Sequence, residues 1–467
     1  MELDDLKYLA SFAMDIGEKQ QPDEFEVYLQ YSDVAKMQIE NGRLGQLSQT
    51  IDNGMGFRIA HGKQTGMGFT SKLEKEAIIQ TIQNATLTAQ KSKENEEWVG
   101  LPKKSGQPTS KAFSNQELLA TPLEDLIEIS SDILTSCKVN GVRDPIIPVF
   151  GGVRLVESKT IIMNSHGIDV NDEVSSFLCY LGAISVKEGK PGPLHLDYWI
   201  SREAILEDAN SFSADIAKEA YKLAGAKKIT VPKSLPVVLD PIALSLIGSY
   251  VFLPSVRADK KQQGNSFLAD RLGEEFLPKD LEMYDDGTRP ENLNSSNFDA
   301  EGIAKQKTII FNDGIFQNFL YDSTSAAKDN TQSTGNAQRV DSSGVNPGAY
   351  ANLPSVGVNN WVVKPGTTEL DSLIEDIKYG ILINNIQGAH QGAPETGDYT
   401  GVINPGYIIE NGDLTDPVLG LGIAGNILDL FSNFEGATRT VKPDIGLLTN
   451  NDSLLPYVRF KEMRIVS

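Results

Sequence analysis

Four histidines and two cysteines are the residues best able to hold a metal or act as nucleophiles, and their spacing argues against both. His61, His166, His195 and His390 lie far apart. No two stand one helical turn apart, as in H-E-x-x-H, where two imidazoles reach one zinc ion from a single helix face. His61, His166 and His390 neighbour glycine or alanine, as turn residues do. His195 lies between Leu194 and Leu196, as a strand residue would. Structural positions are therefore favoured over ligation, although 63 acidic residues leave open a site built from scattered carboxylates. Cys137 and Cys179 have apolar neighbours and no histidine close in sequence. They read as buried free thiols rather than nucleophiles, and two cysteines make no disulfide framework. There is no G-x-S-x-G elbow and no S-x-x-K with its companion motifs.

Glycine motifs come next. Gly420-x-Gly422-x-x-Gly425 precedes a helical run, as a dinucleotide fingerprint would, but too little chain follows for a nucleotide-binding half. A tight glycine turn packed on a helix is the favoured reading. No phosphate loop of the G-x-x-x-x-G-K-[ST] type occurs. Two other segments are small, polar and glycine-containing: Ser333-Thr334-Gly335-Asn336, running on to Arg339, and Glu395-Thr396-Gly397-Asp398-Tyr399-Thr400. Glycine bares main-chain donors and Ser, Thr and Asn add short ones, so such loops suit a ligand held at the backbone. An ordinary polar turn fits them equally well.

The elements that must position these residues follow from periodicity. Leu6, Leu9, Ala10, Ala13 and Ile16 mark a first helix closing at Gly17. Strands are expected at Glu26–Tyr31, at Lys36–Asn41 and Leu44–Thr50 around Asn41-Gly42, and across Gly54–Thr70 with a turn at His61-Gly62. Ser71 and Glu74 suggest a capping box for a helix reaching about Lys91, and Thr121 with Pro122 a cap for the next. The stretch 95–118 reads as loop. Ile146–Glu157, Thr160–Met163 and Val174–Val186 read as a strand meander, followed by a helix over Ala214–Ala224. The basic, proline-containing Ala226–Ser234 is the expected boundary. Beyond it come a strand Leu235–Leu239, a helix Pro241–Val251, a long polar segment Arg257–Asn297, and short strands including Phe316–Tyr321. Helices are expected at Glu369–Asp376 and Asn426–Phe431. The fold class is α+β, in two domains at residues 1–228 and 229–467, each mixing hairpin-rich antiparallel sheet with helices; the second is β-rich.

Bulk properties narrow the function. The formal charge of -21 repels phosphate backbones, and the basic runs are only pairs such as Lys103-Lys104, so no nucleic acid is expected as a partner. The acidic, amphipathic N-terminus is no signal peptide, and no apolar run spans a membrane. A cytoplasmic protein without membrane contact is expected.

The segments Pro236–Asp240, Gly264–Ala269, Leu272–Glu274, Phe298–Gly302, Ser333–Asn336, Gly397-Asp398, Ile409–Gly412 and Ala424–Asn426, in this order and spacing, resemble the TldD/PmbA family, also called modulators of DNA gyrase. So do the Gly54–Thr70 hairpin and the Asn164–Gly167 turn. TldD-type members carry a helical H-E-x-x-x-H zinc motif and a later cysteine ligand; PmbA members, also called TldE, lack them. Counting back from Gly264-Asn265-Ser266 places the three motif positions near Ser249, Tyr250 and Pro254. No histidine occurs between His195 and His390, and no cysteine after Cys179. The resemblance is therefore to the PmbA/TldE branch, and the Pro241 helix would hold a degenerate metal motif.

That resemblance implies a non-catalytic subunit, with no cofactor and no metal of its own. It would pair with a TldD-like metallopeptidase around a cleft for unfolded or extended peptides. Ser333, Thr334, Gly335, Asn336, Gly397, Asp398, Tyr399 and Thr400 would then be candidates for lining the cleft. Two alternatives stay open: a stand-alone homodimer that binds peptides without cutting them, and a hydrolase using an unrecognised site.

Overall fold

In the computed structural model, residues 1–109, 113–139, 144–340, 348–445 and 452–466 are described. The first half is built on one seven-stranded antiparallel sheet. Its strands are β1 (Glu24–Glu40), β2 (Arg43–His61), β3 (Gln64–Thr70), β4 (Ile146–Asn164), β5 (Asp169–Lys187), β6 (Lys190–Pro191) and β7 (His195–Ser201). The order is β3-β2-β1-β4-β5-β6, with β7 also on β5.

Alternation along β1 explains what covers each face. Successive side chains of a strand point to opposite sides. The odd residues Phe25, Val27, Leu29 and Tyr31 are buried with helices α1 (Leu3–Glu18) and α2 (Lys75–Lys91). Further along, Ala35, Met37 and Ile39 are buried in a cluster with α4 (Leu123–Val139), which follows the short α3 (Gln116–Leu119), and with α5 (Ala209–Leu223). The even residues Glu26 and Tyr28 are just as buried. They face the second half of the chain.

That half holds a thirteen-stranded sheet and a two-stranded ribbon. Its strands are β8 (Ser234–Leu239), β9 (Met283–Asp286), β10 (Lys307–Asn312), β11 (Ile315–Phe316), β12 (Ala337–Gln338), β13 (Ser355–Val356), β14 (Asn360–Val363), β15 (Tyr379–Ile383), β16 (Ile386–Gln387), β17 (Asp398–Ile403), β18 (Gly406–Glu410), β19 (Asp413–Val418), β20 (Leu421–Asn426), β21 (Phe434–Ile445) and β22 (Asp452–Val466). The main path is β11-β10-β9-β14-β22-β8-β15-β18-β19, β12 pairs with β13, and β8–β15 and β14–β22 are parallel. Against this sheet packs the helix α6 (Pro241–Ile247), in a core containing Trp361, Phe252 and Phe431.

Several local expectations change. β1 and β4 each run unbroken where two strands were expected. Ser71 and Glu74 form no capping box: α2 starts at Lys75 without a side-chain cap. The Thr121 hydroxyl donates to Leu118 O at 2.7 Å, closing α3 instead of opening α4. Asp208 caps α5 through Ser211 N, so that helix begins at Ala209. Of the strand expected over Phe316–Tyr321 only Phe316 lies in a named strand, the two-residue β11. The helix expected over Glu369–Asp376 is Leu370–Ile374. Of the Gly420–Gly425 motif only Gly420, at φ +73°, sits in the short connection from β19; Gly422 and Gly425 lie in β20, paired with β17. The loop read over 95–118 includes 110–112, which lie outside the described residues.

Cys137 on α4 and Cys179 on β5 lie in one buried core cluster, and burial raises both thiols, Cys137 to about 11. Neither is set up as a thiolate nucleophile.

Candidate functional site

Asp240 opens α6 by accepting a hydrogen bond from Ile242 N at 2.9 Å, with Pro241 at the first helical position. At Ile247 the helix changes character. Gly248–Phe252 forms a π-helical turn, and Leu253–Ser255 returns to α. A Cβ on Gly248 would stand 2.2 Å from the Trp361 ring, so only glycine lets the turn approach. π turns widen a helix by one residue and often mark functional sites. This one spans the first two positions of the degenerate motif.

Those positions offer little to a metal. Ser249 is buried and its Oγ has no partner among the described residues. Half-buried Tyr250 meets the His390 ring edge-on at 6.1 Å. Pro254 has no donor. Among the described residues no group of three His, Cys, Asp or Glu is placed to hold an ion. Hydroxyl, phenol and imino acid do not fit zinc, which takes thiolate, imidazole and carboxylate.

The turn carrying His390 leads from this helix to one sequence candidate. Ser255 Oγ donates to Pro394 O at 2.6 Å, and Ser266 Oγ to Ser255 O at 2.6 Å. Gly397, at φ +83°, packs on Phe267. Asp398 is exposed; Asn426 and then Thr396 donate to it, at 3.0 and 2.8 Å, and hold its carboxyl below the ordinary range. Tyr399 is buried, with its phenol raised by burial, and Thr400 is exposed. The largely buried helix thus packs against the segment that leads into Glu395–Thr400.

The other candidate lies elsewhere, tied to β9 and the start of β14. Ser333 and Thr334 donate to Tyr321 O at 3.1 and 3.2 Å. Asn336 is fully buried; its Nδ2 donates to Asp285 at 2.7 Å and Gly357 O at 3.1 Å, and its Oδ1 accepts from Thr334 Oγ1 at 2.6 Å. Asp285 also accepts from Asn359 Nδ2 and Asn360 N. Burial pushes its carboxyl up to about 6 against these bonds.

A charged hub joins the two halves, and reading the sequence did not single it out. Glu26 accepts from Arg58 at 2.8 and 2.5 Å and from Arg339 at 2.5 Å. Arg58 also meets Glu301 at 3.3 Å. Arg339 donates to Ala300 O and Asn352 O and lies 4.3 Å over the Tyr28 ring. Burial would raise the Glu26 carboxyl, but Arg58 and Arg339 together hold it below its ordinary range. Nearby, Arg202 donates to the carbonyls of Phe113, Ser175, Asn292, Leu293 and Ser295. The one signal in the sequence is Glu26 itself, a charge inside the apolar run Phe25–Leu29.

Three profiles of one family match in chain order: the PmbA/TldA metallopeptidase domain 1 over residues 25–89, the central domain over 117–228, and the C-terminal domain over 232–467. The chain belongs to the PmbA/TldD family. An uncharacterized protein of Methanocaldococcus jannaschii is 28% identical over 417 residues, 89% of this chain and 91% of its own. A metalloprotease PmbA homolog of Haemophilus influenzae is 27% identical, covering 82% of this chain and 80% of that one. The crystal structure of TldE from Thermococcus kodakarensis matches with a TM-score of 0.87 at 24% identity, over 97% of this chain and all of the other. The PmbA/TldD fold is thereby shared. Among the described residues no helix is long and apolar enough to cross a membrane.

Proposed function

We propose that this chain is a TldE-like, non-catalytic subunit that pairs with a TldD-like zinc metallopeptidase, the pair enclosing a cleft for unfolded or extended peptides. One observation carries the reading. At the positions where the family resemblance expects zinc ligands, the chain has Ser249, Tyr250 and Pro254 on a helix wound through a π turn. A helix without donors can still shape a wall. The segment beside it exposes the short polar groups Thr396, Asp398 and Thr400 at the start of β17, which suit main-chain pairing with an extended peptide.

Elemental analysis of the purified chain should find no stoichiometric zinc, and the chain alone should not cleave peptides. Mixing with a TldD-like partner should give a stable complex and chelator-sensitive cleavage. Stoichiometric zinc in this chain, or cleavage by it alone that survives a chelator, would overturn the proposal.

A further inference from the structure

Between the even-numbered face of the first sheet and the second half lies a pocket of about 310 Å³. It is separate from the Pro241 helix and from Gly397–Thr400. Ile162, Val170, Val174 and Phe298 supply apolar wall, with Ser158 and Thr160 as hydroxyls. A hollow of this size with a few converging polar groups is the usual form of a small-ligand site.

Four charged side chains line it, and three are already occupied. Arg339 is spent on Glu26 and two carbonyls. Asp299 accepts from the backbone amides of Glu301, Ile303 and Ala337. Asp172 accepts from the amides of Asn297 and Phe298 and from the Asn297 side chain. Lys305 differs. Its ammonium makes one hydrogen bond, to Asn294 O at 2.6 Å, and no ion pair among the described residues. An ammonium has three donors, so two remain. Burial pulls its pKa down, and Asp299, Asp285 and Asp172 only partly offset this. A bound anion would relieve that cost.

We propose that this pocket binds a small monocarboxylate with an apolar body, its carboxylate on Lys305 and its body against Ile162, Val170, Val174 and Phe298. The same chemistry describes a free organic acid and the last residue of a peptide. The inference does not rest on pairing with a metallopeptidase.

The test uses the full chain alone, titrated calorimetrically with N-acetyl-leucine and with N-acetyl-leucinamide, which lacks only the carboxylate. The acid should bind at least about ten-fold more tightly, the worth of one charge-assisted contact. Lys305→Met should abolish the preference. Should that variant fold poorly, amine acylation read by mass spectrometry serves on the unaltered chain. N-acetyl-leucine should protect Lys305 and leave exposed Lys103 unprotected. Equal binding of acid and amide, no binding to about 10 mM, or unchanged acylation of Lys305 would each overturn the proposal. Competition by the peptide Ala-Ala-Ala-Leu would assign the site to peptide ends, and competition only by free acids to small acids. Failure here would leave the pairing proposal untouched, since no partner is present.

Discussion

Ser333–Asn336 and Glu395–Thr400 look alike as sequence: short, polar, each with a glycine at positive φ. The fold uses them differently. The first is an internal brace whose Asn336 ties Asp285, Thr334 and Gly357 together in the interior. The second is a surface segment whose Asp398 carboxylate bonds, among the described residues, to Thr396 and Asn426. Composition selects loops that bend sharply and bond at the backbone. It does not say whether the bonds are spent inward or left for a ligand.

The largest expected difference lies at the two polar side chains. Asn336→Ala should cost about 3 kcal/mol in denaturant unfolding, since it strands buried partners on both sides. Asp398→Ala should cost at most about 0.5 kcal/mol, as surface changes do. Similar losses would erase the distinction between brace and turn.

The glycines come next. A Cβ at Gly335 would stand 2.6 Å from Ala304 O, a backbone atom, whereas one at Gly397 meets only side chains, at 3.2 Å or more. Both substitutions strain a positive φ. Gly335→Ala should lower the melting temperature clearly more than Gly397→Ala, and the reverse order would break the comparison.

Proton linkage should separate the loops further. Asp285 has a raised pKa, so its favourable share is complete at low pH and is lost as pH rises through about 6. Losing the Asn336 donor raises that pKa again. The deficit of Asn336→Ala against the parent should therefore widen as pH rises through about 6. Asp398 has a lowered pKa, so its share is present above the unfolded value and lost only in acid. The small deficit of Asp398→Ala should stay flat from about pH 5 to about pH 8. Melting curves across this range check both.

The smallest stability effect carries the functional contrast. Asp398→Ala should impair peptide cleavage by the mixed pair while leaving the fold intact. Unchanged cleavage would make the second loop structural as well.

Much of the framework was legible because it rests on local pattern. The stripe of α1 and the alternation of β1 appear in the residues themselves, and the missing metal donors are visible by counting. The π turn was not legible: it depends on Gly248 meeting Trp361, far along the chain. The pocket was hidden for the same reason, since Thr160, Asp172, Asp299, Lys305 and Arg339 meet only after both halves fold. Merging strands escaped too, because polar residues midway along β1 and β4 look like turns until a partner strand pairs with them.

The hub around Glu26 bears on how such a chain can be rearranged. Each half supplies one carboxylate and one guanidinium, and two of the three ion pairs, Arg339–Glu26 and Arg58–Glu301, cross from one half to the other. A chimera whose second half lacked Arg339 and Glu301 would strip Glu26 of one of its two guanidinium partners, and breaking such a buried pair costs about 3–5 kcal/mol. The first and third profile-matched segments are thus not freely interchangeable parts. They inherit together, as one lock with its key built in.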